Sequence, residues 1–451
     1  MLPEKFEERM KIMLGDDYEA FRSSYGDKPV RAFRVNTNKI SVDDFLKICP
    51  FEAEKIPYCS NGFYFDGDSV GNTPYHHSGM IYIQEPAAMA VAECVDFSAD
   101  CTVLDLCAAP GGKSTQLAAK LADGLLVSNE IVPTRCKILT GNIERMGFTN
   151  VVTTCADSAR LAGLFDREFD LVFVDAPCSG EGMFRKDETA VNEWSEENVL
   201  RCTERQREIL TNIRSVVKYG GYLVYSTCTY SLDENEKIID WFLSENPDFE
   251  LVPVTERVKS ASADGICFDG CKTSNIAECR RFYPHITRGE GQFVALLHRK
   301  DIGENYANAR VGALEDIPKP ELKTVKDFLD STLVDYDASC LKKYKNNIVY
   351  FNSDFTVPRG VAFSCGVTVG EVRKNYVQPH HQFFTALGGQ FKRKAELDDE
   401  TVAKYLRGEE VDCDCENGWT AVFYKGCTLG GGKSVGGRLK NHYPKGLRLL
   451  K

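Results

Sequence analysis

The sequence lacks an excess of positive charge. It carries 55 Lys and Arg against 66 Asp and Glu in 451 residues, a formal net charge of −11. Phosphate binding runs on Lys and Arg, so this sum alone speaks against a nucleic-acid partner. It says nothing, however, about where the charges sit. No stretch approaches the roughly 18 uninterrupted apolar residues of a spanning helix, which excludes that class of membrane protein. The opening MLPEKFEERMKIML has no apolar block behind a basic start, so no secretory signal is expected. Tandem repeats and low-complexity tracts are also missing, which excludes solenoids and disordered tails. Without a signal, the 18 Cys do not read as a disulfide framework. A reducing cytoplasm is expected, with most cysteines serving as small buried apolar residues.

What is present suits a soluble chain of two to four domains at roughly 100–200 residues each. Hydrophobic residues make up 43% and charged residues 27%. Residues 1–75 read as a small α+β module. PEKFEERMKIML puts Phe6, Met10, Met13 and Leu14 on one helical face, RAFRVNT (31–37) alternates like an edge strand, and GFYFDGDS ends in turn residues. Within 76–300, β-rich runs alternate with amphipathic stretches. The runs are TVLDLC (102–107), LLVSNE (125–130), VVTTCA (151–156), DLVFVDAP (170–177), YLVYSTC (222–228) and QFVALLH (292–298). This alternation predicts a mainly parallel, doubly wound α/β sheet, with ligands at the C-terminal strand ends. Residues 301–320 are polar, end in prolines and read as a linker. Beyond it, 321–390 and 391–451 are set out as two C-terminal domains, rich in Gly and turns.

Four motifs fall at strand ends. DLCAAPGGKS (105–114) closes the first strand and opens a helix, where small residues let a ligand approach unpaired N–H groups. It is not a P-loop, because the required first glycine position holds Cys107, and it is not a G-x-G-x-x-G fingerprint. Glu130 closes the second strand, where a carboxylate can accept ribose hydroxyls. Paired with the glycine turn, it implies an adenosine-bearing ligand. Asp157, after the third strand, could meet the adenine edge, although an Asp followed by Ser more often caps a helix. DAPCSGEGMFRKD (175–187) and YSTCTYSLDENE (225–236) each put a Cys just past a strand. Two such thiols could be spacers, a disulfide, metal ligands or catalytic groups. Asp-Ala-Pro-Cys is too rigid and polar for core filling, and neither motif brings the neighbouring Cys or His of a metal site. Two thiols beside an adenosine site fit nucleophilic catalysis with methyl transfer.

Together these segments resemble the Sun-type RNA cytosine-C5 methyltransferases, and joint possession of both cysteine motifs is highly specific. QEPAAM (84–89) and GEGMFRK (180–186) point to the bacterial small-subunit rRNA methyltransferase F branch. HHSGMIYIQEPAAM (76–89) and RRFYPHITRGEGQFVALL (280–297) are similar to the segments flanking the family's core, and the C-terminal end is similar to that branch's PUA-like domain. The resemblance implies a Rossmann-like class I fold, an RNA-binding N-terminal module and S-adenosyl-L-methionine as methyl donor. It implies Cys228 as the nucleophile at cytosine C6, Cys178 assisting release, and Asp175 on N3 and near the methionine end of the cofactor. Cys107, Ala108, Ala109, Pro110, Gly111, Gly112 and Lys113 would line the cofactor, with Glu130 on the ribose and Asp157 on the adenine. The branch often has Trp where this chain has Gly431, which would remove a stacking platform there.

No metal is expected at Cys267, Cys271 and Cys279 or at Cys413 and Cys415, whose spacings lack a second ligand pair. His76-His77 and His380-His381 read as packing or RNA-contacting residues, and Arg185-Lys186 could hold a phosphate. The expected partner is small-subunit rRNA, naked or in an assembly intermediate, with no DNA and no membrane, and the protein acting as a monomer. A tRNA cytosine-C5 methyltransferase and a non-catalytic RNA-binding assembly factor are the rival readings. The stretch from Leu429 on bears on the opening objection. It holds Lys433, Arg438, Lys440, Lys445, Arg448 and Lys451 and no acidic residue. This tail is expected to supply much of the phosphate grip.

Overall fold

The computed structural model describes residues 2–67, 70–306 and 309–449. Near the N-terminus, β1 (Ala32–Val35), β2 (Ala53–Lys55), β3 (Gly62–Phe65) and β4 (Ile81–Ile83) form an antiparallel sheet in the order β2-β3-β1-β4. Because β4 belongs to it, this module runs past the boundary expected at residue 75. β1, expected at an edge, lies between β3 and β4. The alternation misleads because Arg34 is buried rather than solvated. Its Nε donates to Gln84 Oε1 at 2.6 Å, and its Nη2 donates to Gly112 O at 2.7 Å and Thr115 Oγ1 at 2.9 Å. The turn Asp68-Ser69 of GFYFDGDS lies outside the described residues. The helix Glu4–Leu14 buries Phe6 and Met10 against Phe21, Phe184, Tyr230 and Tyr283, and Met13 and Leu14 are half-buried at its rim.

Each predicted run of the central part forms a strand. β5 (Thr102–Asp105), β6 (Leu125–Asn129), β7 (Val151–Thr154), β8 (Phe169–Asp175) and β9 (Val217–Thr227) lie parallel in the order β7-β6-β5-β8-β9. β10 (Phe249–Val252), β11 (Ala263–Asp264), β12 (Arg280–Phe282) and β13 (Gln292–Arg299) complete that flank, with β13 antiparallel to β9. The amphipathic stretches become the helices Gly112–Lys120, Pro133–Met146, Glu196–Ile213 and Glu236–Glu245. The strand order reverses at β5, between β6 and β8, so the binding crevice of this sheet class opens at their C-terminal ends.

The expected linker is tied down. The guanidinium of Arg310 forms a two-pronged pair with Glu168 at 2.5 and 2.6 Å, and Ala313 and Leu314 pack on the central core. Arg310, Glu315 and Asp316 find partners, so the segment does not behave as a spacer. After the helix Lys319–Thr332 come β14 (Leu341–Tyr344) and β15 (Asn347–Tyr350). The chain then returns to the central sheet as β16 (Ala362–Cys365), antiparallel to β7, before β17 (Val367–Arg373) and β18 (Tyr376–Pro379). Residues 321–390 therefore share a sheet with β5 to β9.

β19 (Lys394–Leu397), β20 (Val411–Asp412), β21 (Gly418–Tyr424), β22 (Cys427–Val435) and β23 (Arg438–Asn441) form the last sheet, in the order β19-β21-β22-β23-β20. Its Val422, Leu429, Leu439 and Tyr443 share one core with Phe33, Phe45, Phe63 and Ile81 of the N-terminal module. At this seam Lys39 Nζ donates to Ser78 O at 2.6 Å, Thr428 O at 3.0 Å and Arg145 O at 3.3 Å. Burial pushes its pKa down to about 7. The basic stretch is thus no loose tail: it forms most of β22 and all of β23, and Lys451 lies outside the described residues. Among the described residues, no helix is long and apolar enough to cross a membrane.

Leu439 sits in the seam without solvent exposure, whereas Lys445 is exposed. Leu439→Ala is expected to cost about 2–5 kcal/mol of stability. Lys445→Ala should stay within about 0.5 kcal/mol of the parent. Denaturant unfolding of both variants measures the contrast.

Candidate active site

The crevice is built from the ends of five strands. After β5, the loop 106–111 turns into the helix Gly112–Lys120, with Gly111 as its N-cap at φ 113°. That left-handed backbone favours glycine. A Cβ there would also come within 3.2 Å of Leu139 Cδ1. The loop is pinned from the neighbouring helix, where Arg135 Nη2 donates to Ala109 O and Asn142 Nδ2 to Pro110 O, both at 2.9 Å. Ala108 N–H donates to Asn129 O at 2.8 Å. Cys107 is half-buried, Ala108 and Ala109 are buried, and Pro110 is exposed. Beneath the loop, Asp105 accepts from Ser114 Oγ at 2.6 Å, and burial raises its pKa to about 7.

Glu130 lies at the end of β6 and is 2% exposed. It accepts from Val132 N–H at 3.0 Å and stands 3.3 Å from Arg135. Asp157, past β7, is exposed and caps the helix Ser158–Ala162 by accepting from Arg160 N–H at 2.7 Å. Its capping role, one of the two sequence readings, is therefore real.

Asp175 ends β8. Lys113 Nζ donates to its Oδ2 at 2.8 Å, and Ser226 Oγ to its Oδ1 at 2.7 Å. Burial works to lower the Lys113 pKa, but the Asp175 carboxylate outweighs it and the ammonium is stabilised. Three residues past Asp175 is Cys178, and one past β9 is Cys228; their sulfurs lie 3.4 Å apart. The Cys228 hydrogen bond and burial push Cys178 well above the ordinary thiol range, favouring its protonated form. Gly182 allows the close approach: its N–H donates to Cys228 O at 2.9 Å, and a Cβ on it would come within 2.9 Å of that oxygen and 2.6 Å of Gly291 O.

The sequence reading missed the groups that hold these loops, above all Glu234. Its carboxyl accepts from Ser179 N–H at 2.9 Å, Ser179 Oγ at 2.5 Å, Gln206 Nε2 at 3.1 Å and Thr229 Oγ1 at 3.4 Å. Ser179 follows Cys178 and Thr229 follows Cys228, so one side chain fixes both. Glu181, buried, pairs with Arg9 of the first helix and accepts from Trp194 Nε1 at 2.8 Å. Arg185 is no phosphate arm. It is buried in a two-pronged pair with Glu290, both bonds at 2.9 Å. The only local signal for Glu234 was its place in YSTCTYSLDENE.

Burial raises the Glu234 pKa from 4.5 to about 7. The folded protein therefore holds a proton that the unfolded chain gives up between those values, and stability falls as pH rises through that window. Asp105 adds to the same slope. Glu234→Gln should remove its share, so the midpoint of urea unfolding should drop less between pH 5 and pH 7.5 than in the parent.

Three family models match the chain. Residues 92–298 match 16S rRNA methyltransferase RsmB/F, residues 2–86 the N-terminal domain of 16S rRNA methyltransferase RsmF, and residues 392–449 the methyltransferase RsmF PUA domain. The chain is 32% identical over 479 residues to ribosomal RNA small subunit methyltransferase F of Vibrio vulnificus (strain YJ016), covering 99% of this chain and 97% of that one. It is 33% identical to the Klebsiella pneumoniae (strain 342) protein of the same name, over 92% of this chain and 90% of that one. Among solved structures, a methyltransferase homolog protein from Pyrococcus horikoshii superposes with a TM-score of 0.58 at 29% identity, over 66% of this chain and 95% of that one. The chain belongs to the ribosomal RNA small subunit methyltransferase F family and is an S-adenosylmethionine-dependent rRNA methyltransferase.

Proposed function

We propose that the chain methylates C5 of a cytosine in 16S rRNA through a covalent bond between Cys228 and C6. The observation that supports this most is the 3.4 Å approach of two thiols beside Asp175. C5 of cytosine is a poor nucleophile, and attack of a thiolate at C6 makes it enamine-like. Cys178 keeps its proton and leaves Cys228 as the attacking sulfur. As negative charge builds on the ring, Asp175 hydrogen-bonds N3 with a proton drawn from the Lys113 ammonium, which takes it back when Cys228 leaves. The electrophilic methyl comes from S-adenosylmethionine. Loss of the C5 proton to a base then re-forms the C5–C6 double bond and expels Cys228 as thiolate, with Cys178 assisting. The target base leaves its stack to reach this pocket.

The crevice suits the methyl donor. The tight Gly111 turn gives a ligand room at a helix start, and Glu130 presents a carboxylate where ribose hydroxyls would lie. In this reading Cys107, Ala108, Ala109, Pro110, Gly111, Gly112 and Lys113 line the cofactor. Glu130 takes the ribose, Asp157 the adenine, and Asp175 borders the methionine end. The substrate is RNA rather than DNA, and the enzyme works as a cytoplasmic monomer. The N-terminal module runs to about 86, and the catalytic part takes in β16 and so extends past 300.

Cys228→Ala is expected to abolish methylation while leaving S-adenosylmethionine binding intact by calorimetry; retained turnover would remove Cys228 as nucleophile. Cys178→Ala should trap a covalent enzyme–RNA adduct, visible as a slow-migrating band on a denaturing gel. Bisulfite sequencing of rRNA and tRNA from a deletion strain identifies the base, and a missing mark in tRNA alone would shift the substrate.

A further inference from the structure

The mechanism leaves one polar side chain beside the thiols unused. Gln292 opens β13, where Phe293 lies opposite Thr227 and Val294 opposite Ser226 of β9. Side chains alternate along a strand, so Gln292 and Val294 share the face that carries Ser226 and, one residue past β9, Cys228. The backbone fixes that placement. Gly291 N–H donates to Gly182 O at 3.3 Å, and Gly182 N–H donates to Cys228 O at 2.9 Å. A Cβ on Gly291 would come within 2.4 Å of the Tyr230 ring, so β13 enters flush against the second cysteine motif.

Gln292 is 4% exposed. Its Nε2 donates to Asp175 Oδ1 at 3.5 Å, its one side-chain hydrogen bond among the described residues. An ionised carboxylate only accepts, so the amide must turn its N–H toward Asp175. That leaves Oε1 as the free end, with no donor among the described residues and some contact with solvent. Buried acceptors are nearly always met, so one left open at a crevice calls for a donor from the ligand.

Asp175 separates two sides of that crevice. Its Oδ2 meets Lys113, which belongs to the cofactor loop, while its Oδ1 meets Ser226 and Gln292 on the side of Cys228. Next to N3, cytosine carries a donor, the N4 amino group, whereas its O2 and the O4 of uracil are acceptors. With Asp175 on N3, an amide oxygen beside that carboxyl matches the amino group and repels a carbonyl oxygen.

We infer that Gln292 selects the target base: its Oε1 accepts from the N4 amino group of cytosine while its Nε2 stays on Asp175. Uracil, with an oxygen at that position, is refused. The inference rests on the proposed cytosine-C5 chemistry and adds the residue that tells cytosine from uracil.

The test pairs a variant with an altered base. Full-length protein and S-adenosylmethionine are mixed with a 16S rRNA fragment carrying the cytosine found by bisulfite sequencing. A second fragment carries pyrimidin-2-one there, which lacks the N4 amino group. First-turnover methyl transfer is measured for the parent, Gln292→Leu and Gln292→Met. The parent should favour cytosine, and both variants should shrink that preference about 5- to 150-fold, the effect of one hydrogen bond at a buried site. The intrinsic reactivities of the two bases cancel in this comparison. S-adenosylmethionine affinity should stay at the parent value, which guards against a folding defect. An unchanged preference in the variants, beside an active parent, would overturn the role of Gln292 alone, whether or not cofactor affinity had fallen. A parent that transfers no methyl group to cytosine would bring down the functional reading itself.

Discussion

Cys178 and Cys228 sit on separate loops, and the carboxyl of Glu234 grips the residue after each. A buried carboxyl is costly unless hydrogen-bonded. Glu234 offsets that cost with four donors, and those donors are what hold the loops. Glu181, Glu236 and Glu290 repeat the device with Arg9, Arg281 and Arg185 as partners. Breaking one buried pair typically costs about 3–5 kcal/mol, more than one well-packed methyl group. The position of the two sulfurs is therefore set by polar bonds around a rigid sheet. The apolar core supplies the platform on which they are arranged.

The N-terminal module takes part in this. Phe6 and Phe21 pack on Phe184 and Tyr230, which lie within the two cysteine motifs. Arg34 reaches from β1 to Gly112 and Thr115 at the start of the helix Gly112–Lys120. A module that a sequence reading treats as an RNA-binding attachment also braces both halves of the catalytic crevice.

The central sheet was legible because its signals are local. A strand of 4–8 apolar residues, a glycine turn and a helix cap are each written in a short window, and TVLDLC followed by AAPGGKS contains all three. Cys178 and Cys228 were legible for the same reason, as residues past strand ends. Arg34, Glu234 and Arg185 were not, because their partners lie far along the chain: Arg34 bonds Thr115, Glu234 bonds Ser179, and Arg185 bonds Glu290. A charged residue reads as solvated until its distant partner is known. The basic C-terminal stretch was visible as a charge count. That Lys433 and Lys440 face each other follows only from strand register, which a count does not contain.

Lys39 gathers carbonyls from Ser78, Arg145 and Thr428, and the last of these is 389 positions away. The core around it joins Phe33 and Phe45 to Leu429 and Tyr443. Apolar residues of the N-terminal module are thus covered by residues almost 400 positions later in the chain. Contacts so distant in sequence form slowly, because a long loop must close before they repay its entropy. A nascent chain holding both cysteine motifs still has an open flank, which closes only when the residues from Val422 to Tyr443 have been made.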